Sequence, residues 1–350
     1  MNTRARLKSR ILSLCLVALA TTITACTPEV KMLPTLTPEA KVTNQQGLLV
    51  ARVINASSYP LPFNQLTVTP DNVQSSKKIK PFRLLNQNSK NNGTTVFAAP
   101  IQEGTYALSS IRSFYTRGDY WYSKFVPADA KFGTFSVKAG KTTDLGTLIY
   151  YPNPDGDVYK DMLIRLPQFA LQPGEVLDKH FPFYSYDADK VLTWHEDDLD
   201  EQRNAQYNYI ATNPLTFGEQ YKGKDGNIYL LGKLGAILKY NSVDEFELDG
   251  VDSNMALVAF AQSDEFNLVV ADAEGKLFVK NEGQDWQPLN YAKNRNIHHL
   301  QFYKDKLDVI SSVDAILYVE RFDFDSMQWS QLNQYTWMKG WSNYKASNKE

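Results

Sequence analysis

The chain is poor in the residues that most often carry chemistry: its 350 residues include only 2 Cys and 4 His. Two thiols exclude a disulfide-built scaffold and a Cys-rich metal site. No Gly-x-Ser-x-Gly elbow, His-Glu-x-x-His helix or phosphate-binding Gly-rich loop occurs. His298 and His299 are adjacent, so on a strand they point to opposite faces and cannot share a metal. Asp155-Gly156-Asp157 with Asp161 lacks the alternating ligands and closing Glu of a calcium loop. No catalytic residue, metal or cofactor is therefore expected. Past the first 25 residues there is no apolar run of membrane-spanning length and no long stretch of helical period. A composition 43% hydrophobic and 13% aromatic still provides an ample core.

What is present begins at the N-terminus. Arg4, Arg6, Lys8 and Arg10 precede an apolar run from Ile11 to Thr24, about the length of an export signal and too short to span a bilayer stably. The run ends Ile23-Thr24-Ala25-Cys26. This resembles a bacterial lipoprotein box, in which an aliphatic residue and two small residues present the bond before cysteine to the signal peptidase. Cys15, the only rival, follows the bulky Leu14. The resemblance implies that residues 1–25 are removed and that Cys26 becomes an acylated N-terminus carrying diacylglycerol and an N-acyl chain such as palmitate. At about 0.8 kcal/mol per buried methylene, two or three chains make the anchor nearly permanent. Thr27 stands where Asp would retain a Gram-negative lipoprotein at the inner membrane, so the outer membrane is the expected location, on its periplasmic or surface face.

Residues 26–46 contain Pro28, Pro34 and Pro38, balanced charge and no sustained apolar period, and read as a lipidated flexible tether reaching about 60 Å if extended. Residues 47–151 read as an antiparallel β-sandwich of seven strands: 48–54, 65–68, 94–98, 105–111, 121–125, 133–137 and 145–150. Ala139-Gly140-Lys141 reads as the turn of a hairpin joining the last two. Glu103-Gly104-Thr105-Tyr106 with the stretch from Gly133 to Gly146 resembles prealbumin-type and carboxypeptidase-regulatory-type sandwiches, which implies an accessory module without catalytic residues.

The second half repeats. Segments 228–230, 268–270 and 308–310 lie forty residues apart, as do 237–238, 277–278 and 317–318. A closing aromatic follows each pair, at Phe246, Trp286 and Trp329, and apolar segments 215–217, 256–260 and 299–302 supply a first strand. Four strands in about forty residues is the size of a propeller blade. The turn Asn281-Glu282-Gly283-Gln284-Asp285-Trp286 resembles the Asp-box of sialidase-like propellers, in which the first side chain folds back on the turn and the Trp packs under it. Phe322-Asp323-Phe324-Asp325-Ser326-Met327-Gln328-Trp329 resembles a kelch-type blade ending. The expected fold class is thus all-β: a prealbumin-like N-terminal sandwich followed by propeller-like four-stranded repeats over 215–341, then a flexible tail at 342–350. Three blades are too few to close a ring. Residues 152–214 are expected to form a connecting region or a diverged blade built on 162–166 and 191–195, and the segment from Tyr335 to Trp341 could supply a closing strand. A helix over 199–209, capped by Asp197 or Asp198, is expected inside the connection.

Charge divides the halves. Residues 47–151 hold 12 Lys and Arg against 5 Asp and Glu, while the whole chain carries −2, so the part beyond 151 is strongly acidic. One basic segment interleaves with aromatics: Arg112, Phe114, Tyr115, Arg117, Tyr120, Trp121, Tyr122, Lys124 and Phe125. Such groups suit a sugar ring or a lipid headgroup, such as that of lipopolysaccharide, and export argues against nucleic acid. Strand alternation alone would turn these residues to core and solvent in turn. The expected ligand-binding residues are Arg112, Tyr115, Arg117, Tyr120, Trp121, Tyr122 and Lys124. The reading is a non-catalytic envelope scaffold that meets the membrane through its lipid and a protein partner through its body, because lipid-anchored propellers of this kind serve in outer-membrane protein assembly. The alternatives are a glycan-binding adhesion lipoprotein and a sialidase-like glycoside hydrolase, the latter because Ile164-Arg165-Leu166-Pro167 resembles that family's Arg signature.

Overall fold

A computed structural model describes residues 30–71, 80–86, 94–155, 158–242, 245–265, 267–292 and 295–336. The segment read as an export signal, Ile23 to Cys26 and the tail beyond 336 lie outside the described residues.

The first part has ten strands: β1 (Lys31–Leu33), β2 (Gln46–Asn55), β3 (Gln65–Pro70), β4 (Phe82–Leu85), β5 (Thr94–Gln102), β6 (Gly104–Arg117), β7 (Tyr120–Pro127), β8 (Thr134–Val137), β9 (Thr142–Asp155) and β10 (Val158–Arg165). They form two sheets, one ordered β1-β4-β3-β6-β7 with β8 also on β6, the other β10-β9-β2-β5. Leu49, Ala51 and Val53 of β2 face the opposite sheet and meet Leu66, Leu84, Tyr106, Ile111 and Phe135 there. Leu48 and Val50, on its other face, are covered by Leu36 and by Val176 and Leu177 of a short helix, α1 (Glu175–His180). Burial on both faces explains why β2 reads as a continuous apolar run.

All seven expected strands are found, with three more. Part of the segment read as a tether belongs to the body: Lys31, Met32 and Leu33 pair in parallel with Phe82, Arg83 and Leu84, and the Leu36 amide donates to the Ala98 carbonyl at 2.7 Å. The apolar side chains of Leu33 and Leu36, buried in the sandwich, hold this segment down. Nor does Gly140 turn a hairpin between neighbouring strands. Its positive φ of 69° serves a turn that carries the chain from β8 in one sheet to β9 in the other.

Residues 152–214 hold no diverged blade. β10 pairs antiparallel with β9 and completes the second sheet, and Trp194 lies in the sandwich core, its Nε1 donating to the Leu145 carbonyl at 2.9 Å. Helix α2 (Asp200–Thr212) follows, with Leu199 rather than Asp197 or Asp198 at its N-cap and no side chain capping it. Asp197 is instead drawn to the buried Arg203, which reaches both its oxygens at 2.5 and 2.7 Å. These hydrogen bonds, against the opposing effect of burial, hold the Asp197 carboxyl down at about 2.

The second part is three four-stranded antiparallel sheets: β11 (Phe217–Lys222), β12 (Ile228–Gly232), β13 (Ala236–Ser242) and β14 (Glu245–Gly250); β15 (Leu257–Gln262), β16 (Leu268–Asp272), β17 (Leu277–Lys280) and β18 (Gln287–Leu289); β19 (Asn296–Tyr303), β20 (Lys306–Val313), β21 (Ile316–Asp323) and β22 (Gln328–Thr336). The all-β, propeller-like architecture expected from the repeat is present. Tyr229, Leu231 and Ile237 of the first blade pack on Phe260, Val270 and Phe278 of the second. Ala259, Ala261, Val269, Ala271 and Leu277 on the second blade's other face meet Leu300, Leu307, Val309 and Phe322 of the third.

The forty-residue period holds between blades one and two and slips in blade three. Val309, not Ile310, takes the place of Val270, and because strand side chains alternate, a one-residue slip exchanges the two faces. The hairpin of β20 and β21 is also longer, pairing Val309 with Glu320 where Val270 pairs with Phe278. Tyr335 pairs with Leu317 and so belongs to the outer strand of this third blade.

Candidate functional site

β6 and β7 form a hairpin that outruns its sheet. Their outer pairs are Phe114 with Ser123, Tyr115 with Tyr122, Thr116 with Trp121 and Arg117 with Tyr120, while β3 on the far side of β6 reaches only to Arg112. Gly118, at φ +59°, allows the two-residue turn with Asp119. Below the turn both faces are open. Tyr120, Trp121 and Phe125 are 72%, 71% and 58% exposed, so these rings do not alternate between core and solvent.

The side chains are nevertheless ordered by one another. Tyr115 and Tyr122 stack with centroids 5.1 Å apart and planes 12° apart. On the opposite face Phe114 and Trp121 meet at 5.3 Å, and the Arg112 guanidinium lies 5.3 Å from the Phe114 ring while its Nε donates to Ser123 Oγ at 2.8 Å. Asn64 braces the base: its Nδ2 donates to the Phe114 carbonyl at 2.7 Å and its Oδ1 accepts from the Phe114 amide at 3.0 Å. Lys124 pairs with Asp161 of β10 at 2.6 Å. Of the seven residues expected to bind a ligand, the backbone puts Tyr115, Arg117, Tyr120, Tyr122 and Lys124 on one face and Arg112 and Trp121 on the other. Two cations are already engaged, so the open groups are chiefly aromatic. Such a surface favours stacking and apolar contact over phosphate capture.

A second polar constellation lies where the sandwich meets the blades, and sequence reading missed it. Arg52, almost fully buried in β2, donates from Nε and Nη2 to Thr147 Oγ1 at 2.9 and 2.7 Å and lies 3.8 Å from Glu274 and 3.9 Å from Glu175. Lys179 Nζ donates to the carbonyls of Glu274 and Arg295, the latter at 3.0 Å, and His180 Nε2 lies 3.2 Å from Glu274. Burial opposes ionisation of Glu274, but His180, Arg52 and Lys179 together hold its carboxyl below the usual range. A cleft of about 650 Å³ opens beside this cluster, lined by Pro173, Lys179, Lys276, Phe278, Pro288 and Tyr291 among others. The only hint in the sequence is one Arg inside the apolar run of β2. Its partner lies in another domain. Lys233 adds to the joint, donating to the carbonyls of Asn55 at 2.8 Å and Ser57 at 2.6 Å.

The remaining residues singled out earlier have structural employment. Arg165 is buried with its guanidinium 4.6 Å from the Trp194 ring, 3.6 Å from Asp197 and donating to the Phe132 carbonyl. Burial and the neighbouring Arg203 lower its pKa to about 10. His298 bonds Ser312 Oγ at 2.7 Å beside a bulge in β19. Trp286 Nε1 donates to Asp249 of the preceding blade at 2.9 Å, and Lys280, beside its own turn, lies over its ring. Among the described residues no group of three or more His, Cys, Asp or Glu could hold a metal ion.

No family model and no curated protein matches the chain. Among solved structures it is similar to YCF48 bound to a D1 peptide, at 13% identity and a TM-score of 0.27, covering 87% of this chain and 73% of that one. It is also similar to a putative 6-phosphogluconolactonase from Bacteroides uniformis, at 9% identity and a TM-score of 0.28, covering 78% and 83% of the two chains. A nidogen/laminin complex gives 9% identity and a TM-score of 0.27 over 77% of this chain and 93% of that one. Likeness at this level says nothing about what this chain binds.

Proposed function

We propose that this chain is an outer-membrane lipoprotein, anchored through Cys26, that serves as a non-catalytic binding scaffold in the cell envelope and uses the β6–β7 hairpin to contact a protein partner. The observation that carries this reading is the hairpin: large aromatic rings, paired across the strands and braced by Asn64, left open to solvent. Pre-ordered aromatics lose little freedom on binding and are the residue type that concentrates binding energy at interfaces.

Sheet direction supports the geometry. β1 runs parallel to β6, and Lys31 lies level with Leu108, nine residues before Arg117. The hairpin tip therefore projects about 30 Å beyond the level of Lys31, away from the end where the chain enters the sheet. Four residues, or five Cα steps, lie between Cys26 and Lys31, a span of at most about 18 Å. An anchored body would point its aromatic tip away from the membrane that holds it, toward a soluble or glycan-bearing partner.

The test combines crosslinking pull-down from intact cells with a glycan array, each with the native chain and with Trp121→Ala. Expected are one crosslinked protein partner, lost in the variant, and an array without signal. Glycan binding lost in Trp121→Ala would replace the reading with the adhesion alternative. Turnover of a fluorogenic glycoside panel that vanishes in Arg165→Ala would replace it with the hydrolase. Cys26→Ser should release the protein from the membrane fraction.

A further inference from the structure

The three blades do not end alike. Position by position, the face that the second blade turns to the first is built from Leu268, Val270, Phe278 and Lys280, with Trp286 closing it. The same face of the third blade is built from Leu307, Val309 and Phe322, with Trp329 closing it. In both, the closing aromatic docks on the blade before: Trp286 Nε1 donates to Asp249, and Trp329 Nε1 donates to the Asn290 carbonyl at 2.8 Å while its ring meets Tyr291 at 4.6 Å.

The first blade carries the same face, and among the described residues no blade stands before it. Ile228, Leu230, Leu238 and Tyr240 stand forty residues ahead of Leu268, Val270, Phe278 and Lys280, and Phe246 pairs with Tyr240 as Trp329 pairs with Phe322. With Leu248 they make a continuous apolar patch across three strands. None of these six side chains joins any of the buried clusters, and Phe246 is 72% exposed. This face has the chemistry of a blade interface, and among the described residues no blade lies against it.

The complementary end is on the third blade. Ile310 and Val319 stand where Ala271 and Leu277 stand in the second blade, with Leu317 beside them, and the three are half-buried on a face that no blade follows among the described residues. The place of Asp249, acceptor for Trp286, is taken there by Asn333, which pairs with Val319 as Asp249 pairs with Ile237. That change matches the one on the first blade, because Phe246 has no N–H to donate. The Asp308 and Arg321 side chains satisfy each other at 2.5 and 2.7 Å, so neither is left as an unpaired charge on this face.

We propose that two copies of this chain close one six-bladed ring, the Phe246 face of each first blade packing on the Ile310 and Val319 face of the other copy's third blade. Propellers close with about four to eight blades, and six is the only multiple of three in that range. Two copies related by a two-fold axis along the ring make this head-to-tail contact twice, leaving no end face open. The same axis places both sandwiches on one side of the ring, as a pair tethered to one membrane requires. This inference goes beyond the proposed role and does not depend on which partner the hairpin binds.

The test uses the full-length chain in its own membrane and after detergent extraction. Two differently tagged copies are expressed together, one with Phe246→Cys and the other with Asn333→Cys, and treated with a short bismaleimide. A mixed-tag adduct is expected. Two copies both carrying Phe246→Cys should give none, and efficient crosslinking of that symmetric pair would overturn the ring. The extracted wild type should sediment as a dimer of chains, and Phe246→Glu, an exposed position on an outer strand, should weaken the dimer at least about 100-fold while leaving the circular dichroism spectrum unchanged. A wild-type monomer at high micromolar concentration, or a dimer indifferent to Phe246→Glu, would also refute it. Trp121→Ala should leave the dimer intact, which separates failure of this inference from failure of the hairpin reading.

Discussion

Leu49 in the middle of β2 and Leu230 in the middle of β12 are the same residue in the same kind of element, yet one is fully buried and the other half-open. The sandwich covers its central strand on both sides, with the opposite sheet on one and Leu36 and α1 on the other. The blade array covers a strand only where another blade follows or precedes. A repeat makes the same apolar faces in every unit, so the two ends of an open array inherit surfaces that their own chain does not fill.

The comparison can be sharpened by substitution. Leu49→Ala should cost about 3 to 4 kcal/mol of sandwich stability in urea unfolding, since a cavity forms among side chains held on every side. A smaller effect is expected at the joint between the two parts. Glu274→Gln should cost about 2 to 3 kcal/mol at neutral pH, because buried Arg52 loses the more buried of its two carboxylate partners. The pH dependence has a definite sign. Glu274 is held below its ordinary value of 4.5, so its contribution is complete above that value and is lost as pH falls through the lowered one. Melting curves from pH 6 to pH 3 should therefore lose stability more steeply in the wild type than in Glu274→Gln, and parallel curves would remove Glu274 from the joint. Least affected should be Leu230→Ala, at under about 1 kcal/mol in the separated chain, since the side chain is already half in water.

How far the sequence could be read follows from the same contrast. β2 and the blade strands were legible because apolar runs and a fixed spacing survive without knowledge of the partner. β1 and β4, three and four residues long, have too few positions for a period to show. In sequence β10 reads as part of a connecting region or diverged blade because its apolar residues suit either, and only its pairing with β9 decides. The register slip in the third blade was hidden by apolar residues at both Val309 and Ile310. At the candidate site, the aromatic hairpin was visible as a composition, while its exposure was not, since alternation predicts burial of every second ring. The Arg52, Glu175 and Glu274 cluster was out of reach: a pairing across 222 residues and two domains leaves no local trace.

The early capture of Lys31 by β4 has a mechanical consequence. Under the proposed acylation of Cys26, four residues rather than twenty join it to the body, a reach of at most about 18 Å that would keep the body close to the headgroups. Molecules confined to so thin a layer search for one another by gliding in a plane, at an effective crowding far above their average amount in the cell. The short leash would then also set the height at which two such bodies meet, bringing matching edges level before any contact is made.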